Sequence, residues 1–348
     1  MGNFIVAGAI AVLITFLLTP IARAAAIRFG LIDEPGERRI NTRPVPSGGG
    51  LAIFAAFWAT VLIAGVWESE LWAWLIASMV IVIVGMIDDR FSLRPGWKLI
   101  GQIAAAVVFV SFGPRIEFLT NPFGGMIYLA YWGVPLSILW LVAVANVVNF
   151  IDGLDGLAAG IAGIACITLT LIALQSGQPF AAVLAFILGG TAFGFLPHNF
   201  NPARIFMGDS GSLFLGFMLG AISIEGALKG ATAIALTIPV LVLGVPMFDA
   251  VFAIVRRYAS GRPVYEADQG HVHHRLLALG FSHKQAVLTL YALGCCSGGV
   301  AILLLGLPTL QATGVFVAIA LSAFVVGRQM GLTQLNPLPK GSKGHFQF

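Results

Sequence analysis

Four stretches of an otherwise apolar chain carry side chains able to do chemistry. Asp88 and Asp89 are adjacent. Asn146, Asn149, Asp152 and Asp155 recur every third residue. Asp209 stands in Gly208-Asp209-Ser210-Gly211-Ser212, and residues 268–275 read Asp-Gln-Gly-His-Val-His-His-Arg. Side chains of these types take up protons, hold hard cations through oxygen, and donate to phosphoryl oxygens.

Each stretch has a plainer reading beside the chemical one. Asp88 and Asp89 end an apolar run next to Arg90, Arg94 and Lys98, so they form a helix-end ion network, a general base or a magnesium site. Neighbouring carboxylates raise one another's proton affinity, which suits a base. The Asn146 to Asp155 series would share one helical face if the helix continued. Gly153 and Gly156 predict a break instead, with the carboxylates at its mouth, and capping alone needs one such residue. Asp209 or Ser210 either caps the next helix or ligates a hard cation while backbone N–H groups face phosphate. His271, His273 and His274 would suit zinc, but no cysteine accompanies them, and Arg275 points to an anion. The loop from Arg43 to Gly50 combines stiffening prolines with glycines. They serve either helix packing or close approach of backbone to a ligand. Asp249 lies inside an apolar run and reads as a structural partner.

The elements that position these groups follow from composition. The 348-residue chain is 58% hydrophobic and only 10% charged, against about 25% charged in ordinary soluble domains. It is predicted to be an all-α polytopic membrane protein. Eleven apolar runs satisfy the length of a span: about 3–23, 49–66, 71–87, 97–112, 133–150, 158–175, 180–197, 211–225, 231–255, 286–306 and 310–327. Some are short, which implies broken or tilted helices. The first lacks a basic leader and reads as a retained span. Residues 113–132 carry an alternating pattern around Asn121-Pro-Phe-Gly-Gly125 and predict a short external β-hairpin. Residues 1–328 form one domain, and 329–348 a disordered tail. Cys166, Cys295 and Cys296 all lie in apolar runs and form no disulfide or zinc pattern.

Eleven spans put the two termini on opposite sides. If the 24–48 loop faces the cytoplasm, only Arg115 and Lys229 of the 19 lysines and arginines fall on the other side. The same arrangement gathers Asp88, Asp89, Asp152, Asp155, Asp209 and the histidine block at the cytoplasmic face. A transporter would place ionisable groups near the midplane; one interface crowded with them is the pattern of an enzyme.

Five ordered blocks carry a resemblance. They are Arg43-Pro-Val-Pro with Gly49-Gly50, Asp88-Asp89 with Lys98, Asn149-x-x-Asp152-Gly-Leu-Asp155-Gly, Asn199-x-x-Pro202 through Phe206-Met-Gly-Asp209-Ser-Gly-Ser, and His271-x-His273-His274-Arg275-Leu. In these the chain resembles the bacterial polyprenyl-phosphate N-acetylhexosamine-1-phosphate transferases. Phospho-MurNAc-pentapeptide translocase and the eukaryotic dolichyl-phosphate enzyme are more distant relatives.

The resemblance implies transfer of a sugar 1-phosphate from a UDP-N-acetyl sugar to undecaprenyl phosphate at the cytoplasmic face of a bacterial plasma membrane. The products are a lipid-linked pyrophosphoryl sugar and UMP. It implies Mg2+, with Mn2+ as a substitute, and Asp209 as principal ligand with Asn149 beside it. Asp88 and Asp89 would deprotonate or position the lipid phosphate, and Asp152 and Asp155 would serve the nucleotide and the site geometry. Arg43, Lys98, Asn146, Asn199, His271, His273, His274 and Arg275 would bind substrate. Membrane lipid and a second copy of the chain are the further partners, and no nucleic acid is. GlcNAc is the expected sugar, with N-acetylquinovosamine, N-acetylfucosamine and MurNAc-pentapeptide as the alternatives, and a lipid or solute transporter as the alternative of another class.

Overall fold

Residues 2–35, 43–121, 123, 125–228, 244 and 272–329 are described by a computed structural model of the chain. Eleven helices are present among them. They are α1 (Gly2–Arg28), α2 (Gly50–Ile63), α3 (Leu71–Phe91), α4 (Pro95–Phe112), α5 (Gly133–Ile151), α6 (Leu157–Gln175), α7 (Pro179–Asn199), α8 (Gly208–Leu228), α9 (Val272–Ala278), α10 (His283–Leu304) and α11 (Thr309–Gln329). Seven, namely α1, α3, α4, α5, α6, α7 and α10, are long and apolar enough to cross a membrane. Large apolar side chains such as Ile5, Leu17, Ile83, Ile100, Leu288 and Leu321 are exposed, as lipid-facing positions require. The chain is a multi-pass helical membrane protein. The expected span at 231–255, with Asp249, lies outside the described residues, as do positions 330–348 of the tail.

Local sequence explains the helix ends nearest the polar residues. Pro95 and Pro179 open α4 and α7, where the missing N–H has no helical partner to lose. Gly156 begins α6 at φ +81, a conformation that a Cβ would strain. The predicted break after Ile151 is therefore real, and Asp152 to Asp155 form a turn between α5 and α6.

Helices α3, α4, α5 and α8 pack as a closed ring, each touching the next, and α8 also touches α2, α6 and α7. From Leu213 to Ile224 every described side chain of α8 is buried, so α8 is the central post of the bundle. Trp74 of α3, Phe109 of α4 and Phe217 of α8 stack edge to face between ring helices at centroid distances of 4.9 and 5.8 Å. Helix α1 packs on α2 and α7, α7 on α6, and α10 on α6.

Two small antiparallel sheets complete the fold. Strands β1 (Ile32–Asp33) and β2 (Val45–Pro46) pair as Ile32 with Pro46 and Asp33 with Val45. Strands β3 (Phe118–Thr120) and β4 (Met126–Tyr128) form the hairpin expected in residues 113–132.

Candidate active site

Each helix of the ring contributes a polar residue at one end. Asp88 is in the last turn of α3, Lys98 in the first turn of α4, Asn149 in the last turn of α5, and Asp209 in the first turn of α8. The Lys98 ammonium lies 2.9 Å from Asp88 Oδ2 and 3.1 Å from Asn149 Oδ1, and also bonds Asp209 Oδ2. Asn149 Nδ2 donates to Asp209 Oδ1 at 2.7 Å and to Ser212 Oγ at 2.9 Å. The other Asp88 oxygen accepts from the Leu93 N–H at 2.6 Å. Of the three charged side chains, Asp209 is the most open, 29% exposed against 12% for Asp88 and 17% for Lys98. The cluster therefore faces outward on its Asp209 side.

This donor set fits a magnesium ion. Two carboxylates and an amide oxygen converge on one cationic atom, and Mg2+ is held by one or two carboxylates together with substrate phosphates. Among the described residues no group of three or more His, Cys, Asp or Glu is arranged to hold a metal.

Asp89 points away from this cluster. Its Oδ1 accepts from the Asp209 N–H at 2.7 Å, and its Oδ2 from the Ser210 hydroxyl at 2.9 Å and the Ser210 N–H at 3.3 Å. The adjacent carboxylates, read together from the sequence, are thus divided between two tasks. Asp152, in the turn, is half-buried by surface. Protein packed around it pushes its carboxyl well above the ordinary carboxylate range, and the charges of Asp209, Asp89 and Asp155 push in the same direction.

Asn146 lies one layer below the cluster. Its amide exchanges hydrogen bonds with Gln102 of α4, at 2.6 and 3.2 Å, and donates to the Val142 carbonyl at 2.8 Å. Gln102 is 1% exposed. Asn146 and Gln102 thus form an interhelical pair that holds α4 and α5 in register. Gln102 has a legible signal, since it follows Lys98 by four residues and shares its face, but it lies in an apolar run.

Asn199 is likewise bonded within the fold. It is 2% exposed, its oxygen accepts from the Gly156 N–H at 3.0 Å, and its Nδ2 donates to the Ile205 carbonyl at 3.0 Å. Asp155 faces the same segment, accepting from Asn201 Nδ2 at 2.9 Å and the Ala203 N–H at 3.0 Å through one oxygen. Together they clasp the α5–α6 turn to the segment leading into α8. From α10, Tyr291 donates its hydroxyl to the Gly156 carbonyl. Ser212 closes the Gly208-Asp209-Ser210-Gly211-Ser212 motif, whereas Tyr291 stands in no motif that singles it out.

The glycine loop before α2 fixes the entry to α8. Pro46 O accepts from the Phe206 N–H, the N–H groups of Gly48 and Gly49 donate to Phe206 O, and that of Gly50 to Met207 O, all at 2.9–3.2 Å. These N–H groups are used within the fold, so the packing reading of this loop prevails. Arg43 is exposed two residues before β2. His271 lies outside the described residues, as do the side chains of His273 and His274 on α9. Arg275 is half-exposed on the same helix.

Fold and site together define a class, a multi-pass helical membrane protein with a carboxylate-rich polar site at the ends of four helices. Residues 71–227 match the model of glycosyl transferase family 4. A Bacillus subtilis protein named probable undecaprenyl-phosphate N-acetylglucosaminyl 1-phosphate transferase is 38% identical over 84% of this chain and 83% of its own length. The decaprenyl-phosphate N-acetylglucosaminephosphotransferase of Mycolicibacterium smegmatis is 37% identical over 82% of this chain and 78% of its own. The undecaprenyl-phosphate alpha-N-acetylglucosaminyl 1-phosphate transferase of Salmonella typhimurium is 27% identical over 83% and 81%. The chain belongs to glycosyl transferase family 4.

Proposed function

We propose that the chain transfers GlcNAc 1-phosphate from UDP-GlcNAc to undecaprenyl phosphate, giving undecaprenyl-pyrophosphoryl-GlcNAc and UMP. The observation that carries this reading is the convergence of Asp88, Asn149 and Asp209 on one cationic position at a membrane helix end. A lipid acceptor requires a site at a membrane face, and a hard cation requires converging oxygen ligands. The names of the Bacillus and Salmonella relatives support undecaprenyl phosphate and GlcNAc.

An oxygen of the lipid phosphate attacks the β-phosphorus of the donor. The bond from that phosphorus to the bridging oxygen breaks, and UMP leaves with the electron pair. Asp209 and Asn149 would hold Mg2+, or Mn2+ in its place. When bound, the ion neutralises charge on the donor pyrophosphate. Lys98 holds the Asp88 and Asp209 carboxylates in place through its ion pairs, and its own charge draws the acceptor phosphate. Asp88 is the carboxylate that accepts the acceptor's remaining proton. Both of its oxygens already carry hydrogen bonds, which favours direct attack over an aspartyl-phosphate. Asp152 lines the turn at the nucleotide, and His271, His273, His274, Arg275 and Arg43 meet the sugar and phosphates.

The same reading places the site and the C-terminus in the bacterial cytoplasm and the N-terminus outside. It has eleven spans within one domain over residues 1–328 and allows pairing of two copies. A panel of labelled UDP-sugars offered to the purified protein with undecaprenyl phosphate tests it by thin-layer separation of lipid product. UDP-GlcNAc is expected to give the dominant product. Product from another UDP-N-acetyl sugar alone would overturn the sugar, and flux of lipid or solute without UMP release would favour a transporter.

A further inference from the structure

Helix α8 starts without a cap of its own. The residue before Gly208 is Met207, which has no side-chain oxygen to accept from the first free N–H groups of the helix. Those donors must find a partner, because this end is enclosed: Met207 is fully buried, and so is Ser210. The partner is Asp89 of α3. It accepts from the N–H groups of the second and third helical residues, Asp209 and Ser210, the same pair that an N-cap side chain satisfies. The Ser210 hydroxyl adds a third bond. A negative charge at a helix N-terminus is also favoured by the helix dipole.

The approach of α3 that makes this contact is written into its sequence. Gly85 lies one turn before Asp89 on α3, and a Cβ there would run into the Ser210 backbone. Gly208 itself has φ +71, and a Cβ at that residue would sit 2.7 Å from Asp89 Oδ1 and from Ser47 Oγ. Only a glycine on each helix allows the carboxylate to reach the two N–H groups. Three of the four lone-pair positions of the Asp89 carboxylate are then occupied.

We propose that Asp89 is a positioning residue that caps α8 from the neighbouring helix and so aims the Asp209 carboxylate. The proposal deepens the transfer reading above and rests on it, through Asp209 as the ligand of the divalent ion. It separates two adjacent aspartates by role, Asp88 facing the reacting groups and Asp89 the helix end.

The test uses the full-length protein in detergent, with Asp89→Asn, Asp89→Ala and Ser210→Ala. Mn2+ binding is read by electron paramagnetic resonance, and kcat, KM and the pH profile of kcat by lipid-product formation. Asparagine keeps an acceptor oxygen for the Asp209 N–H and can donate its NH2 to the Ser210 hydroxyl, losing only the 3.3 Å bond from the Ser210 N–H. Asp89→Asn is therefore expected to keep kcat within about tenfold of wild type, with Mn2+ affinity retained and an unshifted pH profile. Asp89→Ala is expected to lose Mn2+ affinity by about 10- to 100-fold, the usual cost of removing a group that orients a ligand, with Ser210→Ala between it and wild type. An Asp89→Asn protein as inactive as Asp89→Ala, binding Mn2+ as wild type does, would overturn the proposal and restore Asp89 as a base. Should Asp89→Ala fail to fold, Asp89→Asn decides alone. An inactive wild type that still loses Mn2+ affinity in Asp89→Ala would sink the transfer reading and leave the cap standing.

Discussion

Lys98 of α4 and Asp88 of α3 form an ion pair of 2.9 Å across the short connection between their helices, and the same ammonium reaches Asn149 and Asp209. One cation thus ties together the ends of all four ring helices. Its removal would leave two partly buried carboxylates facing each other without compensation.

Lys98→Ala is expected to lower kcat by at least about a hundredfold. Lys98→Arg should restore less than about a tenth of the lost activity, because a planar fork does not replace a point charge held among three oxygens. Steady-state turnover of the three proteins checks this. Arginine rescue to wild-type rates would contradict the geometry.

The Gln102–Asn146 pair predicts strong coupling. Replacing either residue with leucine strands the partner amide between the helices, which costs about 1–3 kcal/mol for the buried Gln102 and less for the half-buried Asn146, which keeps the Val142 carbonyl. Replacing both should cost less than the two single changes together. Thermal or denaturant unfolding of the four proteins in detergent measures the cycle, and additive losses would count against the pair.

Asp152 predicts a pH dependence of stability in the metal-free protein. Its pKa is raised in the fold, by burial first. The folded state therefore holds the proton more tightly than the unfolded chain does. The associated stability is complete below the unfolded pKa and is lost as pH rises through the folded one. Asp152→Asn, which resembles the protonated form, should gain melting temperature relative to wild type on going from about pH 5 to about pH 8. A constant offset across that range would show that Asp152 ionises without opposition.

Much of this was legible in the residues themselves. The break at Gly153–Gly156 follows from glycine chemistry and is present, with Gly156 at φ +81. The hairpin pairing Phe118–Thr120 with Met126–Tyr128 follows from its turn residues. Asp88, Lys98, Asn149 and Asp209, distant in sequence, do meet. The hydrogen bonds of Asn146, Asn199 and Asp89 were harder to read because their partners are a side chain or backbone N–H and carbonyl groups on other segments. Hydrogen bonds of that kind leave no trace in spacing. A buried amide that completes a fold and an exposed one that awaits a ligand are the same letter.

Asp209→Ala tests the central claim most directly. With labelled UDP-GlcNAc, undecaprenyl phosphate and Mg2+, wild type should move label into lipid and release UMP, while Asp209→Ala should fall to background, at least about a thousandfold lower. Near-wild-type label transfer by a folded Asp209→Ala protein would contradict the account.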